Sequence, residues 1–434
     1  MKTILFAIIS FLAASSFLSA QDSVADEELF SGDTFITEEK TVEKEVQKDT
    51  LLVSDQTRIG GRFHLTTETT ADTADPGNPS STIDLFSQIY LDARPLEDFR
   101  VFAKGILEYQ VTADSSTDPN ELFELRELFS DFNIEDIVFI RAGKQTITWG
   151  TGYFYSPADI INLESIDPED PDAEREGPVA VKLHLPISTA NVYLYTILDP
   201  MAADQFAVAP KFEFIFDKTE IGIGGFYRLN GIIAGMTTIS TSIGDVNLFG
   251  EAVVLAGSSR VFLERTTDLI TYPFGLRPFS QPDTVFFQST VGFTYSYVDE
   301  FDNFNISFSG QYYYNGTGYD DQSLIADNKP AIMALMGSGE LDPADLTERG
   351  IHYGAAQIMW REMFASDFSA GIFWMSNFSD LSGMINYSVH FSPNDYLQFT
   401  LGVRQTYGEP GEEYTPIEDT LGIYFKTSIG TGNF

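Results

Sequence analysis

Apolar and polar residues alternate with a period of two over much of the chain after Thr57. In residues 303–315, one parity is mostly aromatic or aliphatic, and the other carries Ser307, Ser309 and Gln311. Such alternation predicts a β-strand that is buried on one face and wet on the other. The alternating segments are about 9–13 residues long, which suits a tilted strand that crosses a bilayer.

This pattern predicts about 18 strands between residues 57 and 434, with 16 as the alternative count. The predicted strands start near residues 57, 83, 98, 122, 137, 179, 190, 208, 220, 232, 245, 285, 303, 352, 367, 381, 395 and 419.

The connections between these segments alternate in length, and this alternation indicates the fold. Short connections lie near residues 95–98, 133–136, 186–188, 217–219, 299–303, 364–367 and 392–395. The other set is mostly long and covers residues 71–82, 113–121, 148–177, 257–283, 316–350 and 407–418, with two tight members near 230–231 and 377–380. A soluble β-sandwich has no reason to separate its connections in this way, whereas outer-membrane barrels have short periplasmic turns and long extracellular loops. The sequence therefore predicts an all-β chain that forms a transmembrane antiparallel β-barrel with both termini in the periplasm.

The composition agrees with a barrel and excludes several other classes. The chain has 37 Phe and 20 Tyr but an ordinary hydrophobic fraction of 43%, as expected when aromatic girdles flank an outward apolar band and alternate residues stay polar. It has no cysteine, which excludes disulfides, cysteine metal sites and a lipoprotein anchor. The formal net charge of −39 argues against a nucleic-acid partner.

The N-terminal residues predict export from the cytoplasm. Lys2, a following apolar run and the small residue Ala20 are typical of a cleaved signal peptide over residues 1–20. Residues 21–56 are acidic and charge-dense, which predicts a flexible periplasmic tail. The predicted barrel then covers residues 57–434, and the expected location is the bacterial outer membrane.

One segment resembles a recurring pattern of porin-like outer-membrane barrels. It runs from Arg141-Ala142-Gly143-Lys144-Gln145 through Trp149-Gly150 to Ser156-Pro157-Ala158-Asp159-Ile160-Ile161-Asn162, and the later Arg175-Glu176-Gly177 also fits. In those proteins a strand that ends in R-x-G-[KR]-Q leads into W-G and a P-x-D-x-x-N loop. The resemblance covers roughly residues 137–185. It implies a porin-like channel and assigns no substrate and no catalytic residue.

Residues 148–177 form the third outward loop by count, and two interpretations of its path remain open. The resemblance implies a loop that folds into the lumen and narrows it, and Gly150 and Gly152 allow the sharp re-entry that this path requires. Alternatively, Trp149 and Tyr153 anchor the loop at the membrane interface.

The polar parity of the early strands carries many charged residues, which we expect to face the lumen. An Arg or Lys on the lipid face would cost roughly 2–4 kcal/mol near the midplane. The inward set comprises Arg58, Arg62, His64, Asp84, Asp92, Arg94, Arg100, Lys104, Glu108, Lys182 and His184. The candidate pore-lining or constriction residues are Arg58, Arg62, Arg100, Lys104, Glu108, Arg141, Lys144, Gln145, Trp149, Tyr153 and Asp159. The charges either form a basic ladder beneath an acidic mouth that sets ion selectivity, or pair across strands and hold the wall together.

Other chemistry has weaker support in the sequence. Asp167, Asp170 and Asp172 are a weak candidate site for a divalent cation, because a hard cation takes about six to eight oxygen ligands. The four histidines are scattered, so we expect neither an enzyme nor a cofactor. The apolar residues 330–336 predict a short helix that packs into the barrel mouth or contacts a partner.

These features together predict an outer-membrane channel for passive diffusion of small hydrophilic solutes. The expected partners are outer-membrane lipid, those solutes and the barrel-assembly machinery, which commonly recognises a terminal aromatic residue such as Phe434. A homo-oligomer is left open. The alternative function is that of a surface barrel that acts as an adhesin or structural protein with little conductance.

Overall fold

The computed structural model describes residues 50–54, 56–72, 79–96, 98–112, 122–198, 206–229, 231–299, 303–416 and 420–430. The predicted signal peptide, the predicted tail up to residue 49 and Phe434 lie outside these described residues.

Most of the described residues form β-strands, and one connection contains short helices. The strands are β1 (Thr50–Ser54), β2 (Thr57–Asp72), β3 (Ser80–Leu96), β4 (Phe99–Thr112), β5 (Phe123–Ile134), β6 (Val138–Lys144), β7 (Val179–Ile187), β8 (Ala190–Ile197), β9 (Ala207–Phe216), β10 (Thr219–Arg228), β11 (Ile233–Ile243), β12 (Val246–Ala256), β13 (Val261–Arg265), β14 (Leu276–Ser280), β15 (Val285–Val298), β16 (Asn305–Asn315), β17 (His352–Arg361), β18 (Phe368–Asn377), β19 (Ser382–Asn394), β20 (Leu397–Tyr407) and β21 (Leu421–Ile429). The helices are α1 (Ser323–Ala326), α2 (Lys329–Ser338) and a 3-10 helix (Pro343–Leu346).

Eighteen of these strands, β2–β12 and β15–β21, close into an antiparallel barrel in the described part of the chain. Neighbours in the chain are neighbours in the ring, and β2 completes it by pairing with β3 on one edge and β21 on the other. The predicted fold and strand number are therefore confirmed. The largest difference between a predicted and an observed strand start is three residues, at β3, where the pattern begins at 83 and the strand begins at Ser80.

Strand β1 precedes the predicted barrel and extends the wall where the ring closes. It pairs antiparallel with β2, with Thr50 opposite Gly60 and Ser54 opposite Thr57. Strand β3 occupies the other edge of β2 at these residues, so β1 lies on the same edge as β21. Strand β21 covers only Leu65–Asp72 of that edge. The paired part of the chain therefore begins before residue 57, where the alternation begins.

The two faces of the wall differ as the alternation predicts. On β11, Ile233 is 50% exposed and Ile239 is 46% exposed, whereas Ala234, Met236 and Thr238 are buried. A closed barrel has one inner and one outer face, and the buried face is the one that also contacts the long loops. Large apolar side chains therefore cover the outer face, which is the pattern of barrels whose outside contacts lipid acyl chains.

The connections are tight at one end of the barrel and mostly long at the other. Several tight turns use residues with positive φ between 53° and 55°: Glu135, Asp136, Ser188 and Asp217. Tight hairpins need this conformation because its twist matches that of the flanking strands. At the other end, the third loop comprises residues 145–178, the sixth 257–284, the seventh 316–351, the eighth 378–381 and the ninth 408–420.

The sixth, seventh and ninth loops pack together, and we term them the cap. β13 and β14 form a hairpin in the sixth loop. The Arg260 guanidinium of that loop donates to the carbonyl oxygens of Asp345 at 2.8 Å and Thr347 at 3.1 Å in the seventh. The seventh loop reaches the ninth through Arg349, which donates to the carbonyl oxygen of Gly411 at 2.8 Å.

The predicted apolar helix is observed as α2 and lies within the cap. The pattern places it at residues 330–336, and α2 ends before Gly339, which has φ 75°. Its buried side belongs to the same hydrophobic cluster as Trp149 of the third loop. The buried side chains are Ala331, Ile332 and Leu335. Among the described residues, no helix is long and apolar enough to cross a membrane.

Closure of the ring between β2 and β21 can be tested with a disulfide. Thr66 and Ser428 lie opposite each other, and their hydroxyl oxygens are 3.2 Å apart. Because the chain has no native cysteine, Thr66→Cys/Ser428→Cys should oxidise in the folded barrel and resist heat unfolding. The measurement is gel mobility after heating, with and without reductant. In the control Thr66→Cys/Thr400→Cys, β21 separates the two cysteines, so they should stay reduced; a seam pair that also stays reduced contradicts closure.

Candidate functional site

The third loop leaves β6 and turns into the barrel. Its Trp149 is 1% exposed, and the indole ring lies 5.7 Å from the ring of Tyr195 on β8. Lys211 of β9 donates to the carbonyl oxygen of Trp149 at 3.1 Å. Tyr195 and Lys211 both belong to the buried parity of their strands. Trp149 therefore lies inside the barrel, against its inner face.

Glu251 of β12 holds the first half of the third loop. Its carboxylate accepts hydrogen bonds from the backbone N–H groups of Thr151, Gly152 (2.5 Å) and Ala158 (3.0 Å), and from the Ser156 hydroxyl (3.0 Å). A buried peptide N–H without an acceptor costs about 1–3 kcal/mol. One carboxylate thus satisfies several donors of a loop that has left solvent, and these charge-assisted bonds stabilise its own burial.

Gln311 of β16 holds the next residues of the loop. Its side-chain oxygen accepts from the N–H groups of Tyr153 (3.1 Å) and Phe154 (2.7 Å), and its amide donates to the carbonyl oxygen of Tyr155 at 2.5 Å. The Tyr155 ring stacks on Tyr313, also of β16, at 5.1 Å. Because β16 lies eight strands from β6 around the ring of eighteen, the loop crosses the barrel interior.

Gly150 and Gly152 are required by space. A Cβ on Gly150 would overlap the Ser156 hydroxyl and the Glu251 carboxylate, and one on Gly152 would overlap the carbonyl of Tyr155. Neither glycine has a φ in the left-handed region. The turn itself is therefore open to other residues. They are excluded by the close approach of Gly150 to Glu251 and of Gly152 to the carbonyl of Tyr155.

Three residues of the motif, Gln145, Asp159 and Asn162, brace the loop from within. Gln145 is 1% exposed and donates to the backbone of β7 at 3.0 Å. The Asn162 amide accepts from the N–H of Ile147 at 2.9 Å and donates to its carbonyl oxygen at 2.8 Å. Asp159 forms an ion pair with Arg175 and accepts from Asn162 at 2.9 Å. Gln145 and Asp159, which the sequence places among the pore-lining candidates, therefore shape the loop from buried positions.

Cations on the inner face of the early strands are engaged in ion pairs. Asp131 contacts Arg141 at 2.7 Å and Arg100 at 3.4 Å. Lys104 contacts Glu127 at 2.7 Å. These are the contacts expected if the inward charges pair across strands and hold the wall together.

The second half of the third loop, residues 162–177, runs back along this basic wall, and we term it the return limb. Each of its glutamates contacts a wall cation. The pairs are Glu164 with Arg126 (3.0 Å), Glu169 with Arg404, Glu174 with Lys104 (3.3 Å) and Glu176 with Lys144. An acidic sequence that is typical of a solvated loop thus supplies counter-charges to the wall.

The other candidates on the early strands lie nearer to solvent. Arg58 and Glu108 are exposed. In the strand register, Arg58 lies opposite Asp92 and Glu108 lies opposite Phe86. These two side chains lie toward opposite ends of the barrel.

Asp167, Asp170 and Asp172 do not gather around a common point. Asp167 and Asp170 form a local backbone bridge, and Asp172 accepts from the Tyr153 hydroxyl at 3.4 Å. Burial and the neighbouring Asp172 carboxylate raise the pKa of Tyr153 to about 12, so this hydroxyl keeps its proton and donates. Among the described residues, no group of three or more His, Cys, Asp or Glu side chains could hold a metal ion.

Glu413 joins the cap to the wall above the third loop. Its carboxylate accepts from the Tyr353 hydroxyl of β17 at 2.7 Å and from the Asn377 amide of β18 at 2.8 Å. Its N–H donates to Asp380 of the eighth loop at 2.9 Å, and Asp380 pairs with Arg349 of the seventh loop at 3.6 Å. The seventh, eighth and ninth loops therefore meet at one charged cluster.

Glu348 brings a further carboxylate to this cluster. Its backbone has φ 48°, a left-handed conformation that costs a non-glycine residue roughly 1–2 kcal/mol. Burial and the nearby Glu413 carboxylate raise the pKa of Glu348 to about 7, against the opposing effect of Arg260. Glu348 therefore changes its charge near neutral pH.

Sequence reasoning missed Glu251 and Gln311, the two residues that fix the path of the third loop. One feature of the sequence could have identified Glu251. Glu251 is the single charged residue in the otherwise largely apolar strand β12, and a buried carboxylate requires hydrogen-bond donors from elsewhere. Nothing in the local sequence identifies the donors, which lie about 100 residues earlier.

Comparisons with known proteins find similar folds among solved structures only. No family model matches the chain, and no curated protein matches it. Among solved structures, OpdQ of Pseudomonas aeruginosa aligns with a TM-score of 0.50 and 7% identity, covering 88% of this chain and 99% of that chain. OccAB1 of Acinetobacter baumannii aligns with a TM-score of 0.48 and 12% identity, covering 89% of this chain and 98% of that chain. At 7% identity, the likeness to OpdQ establishes the fold alone.

Removal of Glu251 should release the first half of the third loop. In Glu251→Ala, the N–H groups of the first half lose their acceptor, and Asp159 of that half no longer holds Arg175 of the return limb. Trypsin should therefore cleave after Arg175 roughly tenfold faster, as expected for a loss of about 1–3 kcal/mol. The cleavage rate of the folded protein in detergent is followed on gels. Glu220→Ala removes another inward carboxylate, one outside the described hydrogen bonds of this loop, and should keep the wild-type rate. Equal rates for wild type and Glu251→Ala contradict the anchoring role.

Cap packing should weaken as Glu348 ionises. Because the pKa in the packed cap is raised above the ordinary value of 4.5 to about 7, the stabilisation is complete below pH 4.5 and is lost as the pH rises through 7. Protease cleavage of the seventh loop should therefore be faster at pH 8 than at pH 5.5 in wild type.

The isosteric Glu348→Gln should lose this pH dependence and stay protected at pH 8. Glu340→Gln changes the charge of an exposed residue in the same loop and should behave as wild type. Dividing each rate by that of unfolded chain at the same pH removes the pH dependence of the protease itself. A wild-type pH profile in Glu348→Gln excludes Glu348 as its source.

Proposed function

We propose that the chain is an outer-membrane channel through which small hydrophilic solutes diffuse passively. The observation that carries this proposal is the third loop, which crosses the interior of a closed eighteen-stranded barrel and is held there by Glu251 and Gln311. A wall of this size encloses more space than its own side chains fill. The loop then narrows that space to a path bordered by charged groups.

The outer face supports the membrane location. Large apolar side chains cover it, and aromatic rings gather at its tight-turn end, where Trp360 lies 5.4 Å from Phe304 and 4.9 Å from Phe364. Aromatic girdles of this kind lie at the interface between lipid and water. The signal peptide over residues 1–20 and the acidic periplasmic tail belong to the same proposal.

Eight of the candidate residues border the solute path in this proposal. They are Arg58, Arg62, Arg100, Lys104, Glu108, Arg141, Lys144 and Tyr153. Trp149, Gln145 and Asp159 act from buried positions by fixing the loop that narrows the path. The expected partners are lipid, small solutes and the barrel-assembly machinery, and a homo-oligomer is left open.

Passage of solutes requires no catalysis, and the one Ser–His contact among the described hydrogen bonds lies on the inner face. His390 contacts the Ser388 hydroxyl at 3.0 Å and the Thr400 hydroxyl at 2.9 Å. These side chains alternate with the exposed Tyr387 and Val389, so the Ser–His pair faces the interior. A lipase that acts on membrane lipid would need such a pair on the outer face.

A surface barrel that serves as an adhesin or structural protein with little conductance is the second candidate. The observation that favours it is the cap, whose helix α2 shares one hydrophobic cluster with Trp149 inside the barrel. A cap that stays packed over the third loop would block the path.

Liposome swelling with sugars of graded size separates the two functions. Wild-type protein should admit the smallest sugars and slow the larger ones, because the third loop sets the width of the path. Glu251→Ala, with its loop released, should admit larger sugars, and Glu220→Ala should match wild type. A barrel that excludes even the smallest sugar in all three forms contradicts the channel and favours the surface barrel.

A further inference from the structure

We propose that Glu174 is the selectivity-determining residue of the channel, because it neutralises the cations that the wall would otherwise present to a passing ion. This inference rests on the proposed function and deepens it. It predicts that the channel passes uncharged and cationic solutes and does not favour anions.

Side chains from three neighbouring strands converge on the Glu174 carboxylate. The Gln88 amide of β3 donates to both of its oxygens, at 2.8 and 2.9 Å. The Lys104 ammonium of β4 lies at 3.3 Å, and the Arg62 guanidinium of β2 lies at 3.8 Å. The return limb thus places one carboxylate directly over the basic part of the wall.

The charges at this point balance only when Glu174 is present. Lys104 also contacts Glu127 of β5 at 2.7 Å, so two cations face two carboxylates. Arg62 contacts no second carboxylate among its described ion pairs, and Asp170 acts on it only from beyond ion-pair distance. The Arg62 side chain is 43% exposed, the most open of the four. Loss of Glu174 would therefore leave one positive charge at the edge of the path without a carboxylate in contact.

Glu174 is ionised under physiological conditions. Burial alone would raise its pKa, but Lys104, the Gln88 amide and Arg62 outweigh burial and lower it. The carboxylate therefore stays charged at neutral pH and remains a partner for both cations.

The rest of the return limb acts in the same direction. Glu164, Glu169 and Glu176 each contact a wall cation, and the cap adds the exposed acids Asp320 and Asp327 at the mouth. A negatively charged entrance concentrates cations. We therefore expect the wild-type channel to prefer potassium weakly over chloride.

Reversal potentials in planar bilayers under a potassium chloride gradient test this inference. A single charge roughly 7 Å from an ion in water changes the local ion concentration roughly threefold. Because chloride rises by this factor while potassium falls by it, Glu174→Gln should shift the permeability ratio toward chloride by about eightfold. Lys104→Met, which leaves both carboxylates in place, should shift it toward potassium.

Glu340→Gln makes the same charge change at an exposed position of the cap and serves as the matched control, in which the ratio should shift less than in Glu174→Gln. Compact gel mobility that is lost on heating verifies that each variant is folded. A conducting Glu174→Gln channel with wild-type selectivity overturns the inference and leaves the channel function standing. If Glu174→Gln fails to fold, an unchanged ratio in Lys104→Met overturns it instead. A wild-type barrel without conductance overturns the proposed function, and the inference with it.

Discussion

The arrangement depends on one constraint: the backbone N–H and carbonyl groups of a loop inside a barrel need hydrogen-bond partners, and the wall must supply many of them. The first half of the third loop, residues 145–161, is withdrawn from bulk solvent and lies against the inner wall, where its buried peptide N–H and carbonyl groups need partners. Glu251 and Gln311 supply many of those partners from strands on the far side of the ring. The loop is therefore fixed by the wall that faces its entry point, and its path across the interior follows from that.

The remaining loops are arranged around this crossing segment. The Tyr155 ring of the third loop lies between Tyr313 at 5.1 Å and Tyr353 at 5.9 Å. Tyr353 in turn donates to Glu413, which holds the seventh, eighth and ninth loops together. Movement of the third loop would thus remove the support beneath the cap. The interior and the mouth form one continuous packing unit.

The sequence predicts the strands well because the information is local. An alternation such as that of residues 303–315 depends only on neighbours in the chain, and it identifies β16 and the inward position of Gln311. Barrel closure follows from the regular order of strands, so the topology could also be predicted. The parity likewise places Arg100 and Lys104 on the inner face.

The site could be predicted only in part because its partners are distant in the chain. Glu251 lies about 100 residues from the N–H groups that donate to it, and Gln311 lies about 157 residues from Phe154, from whose N–H it accepts a hydrogen bond. Parity shows which way Lys104 points but does not reveal Glu174 opposite it. The motif identified the third loop correctly as a special segment, yet Gln145 and Asp159 are buried braces of that loop.

Strand β1 affects the strand edge at which the ring closes between β2 and β21. The closing strand β21 contacts β2 along eight residues, whereas β3 contacts it along fourteen. A short antiparallel contact is prone to slip along its partner, and a slip of one residue would turn lipid-facing side chains toward water. Because β1 occupies Thr57–Gly60 on the edge that β21 must join, it covers backbone groups of β2 that lie beyond the eight residues paired with β21. The N-terminal strand therefore shortens the stretch of free strand edge that remains where the ring closes.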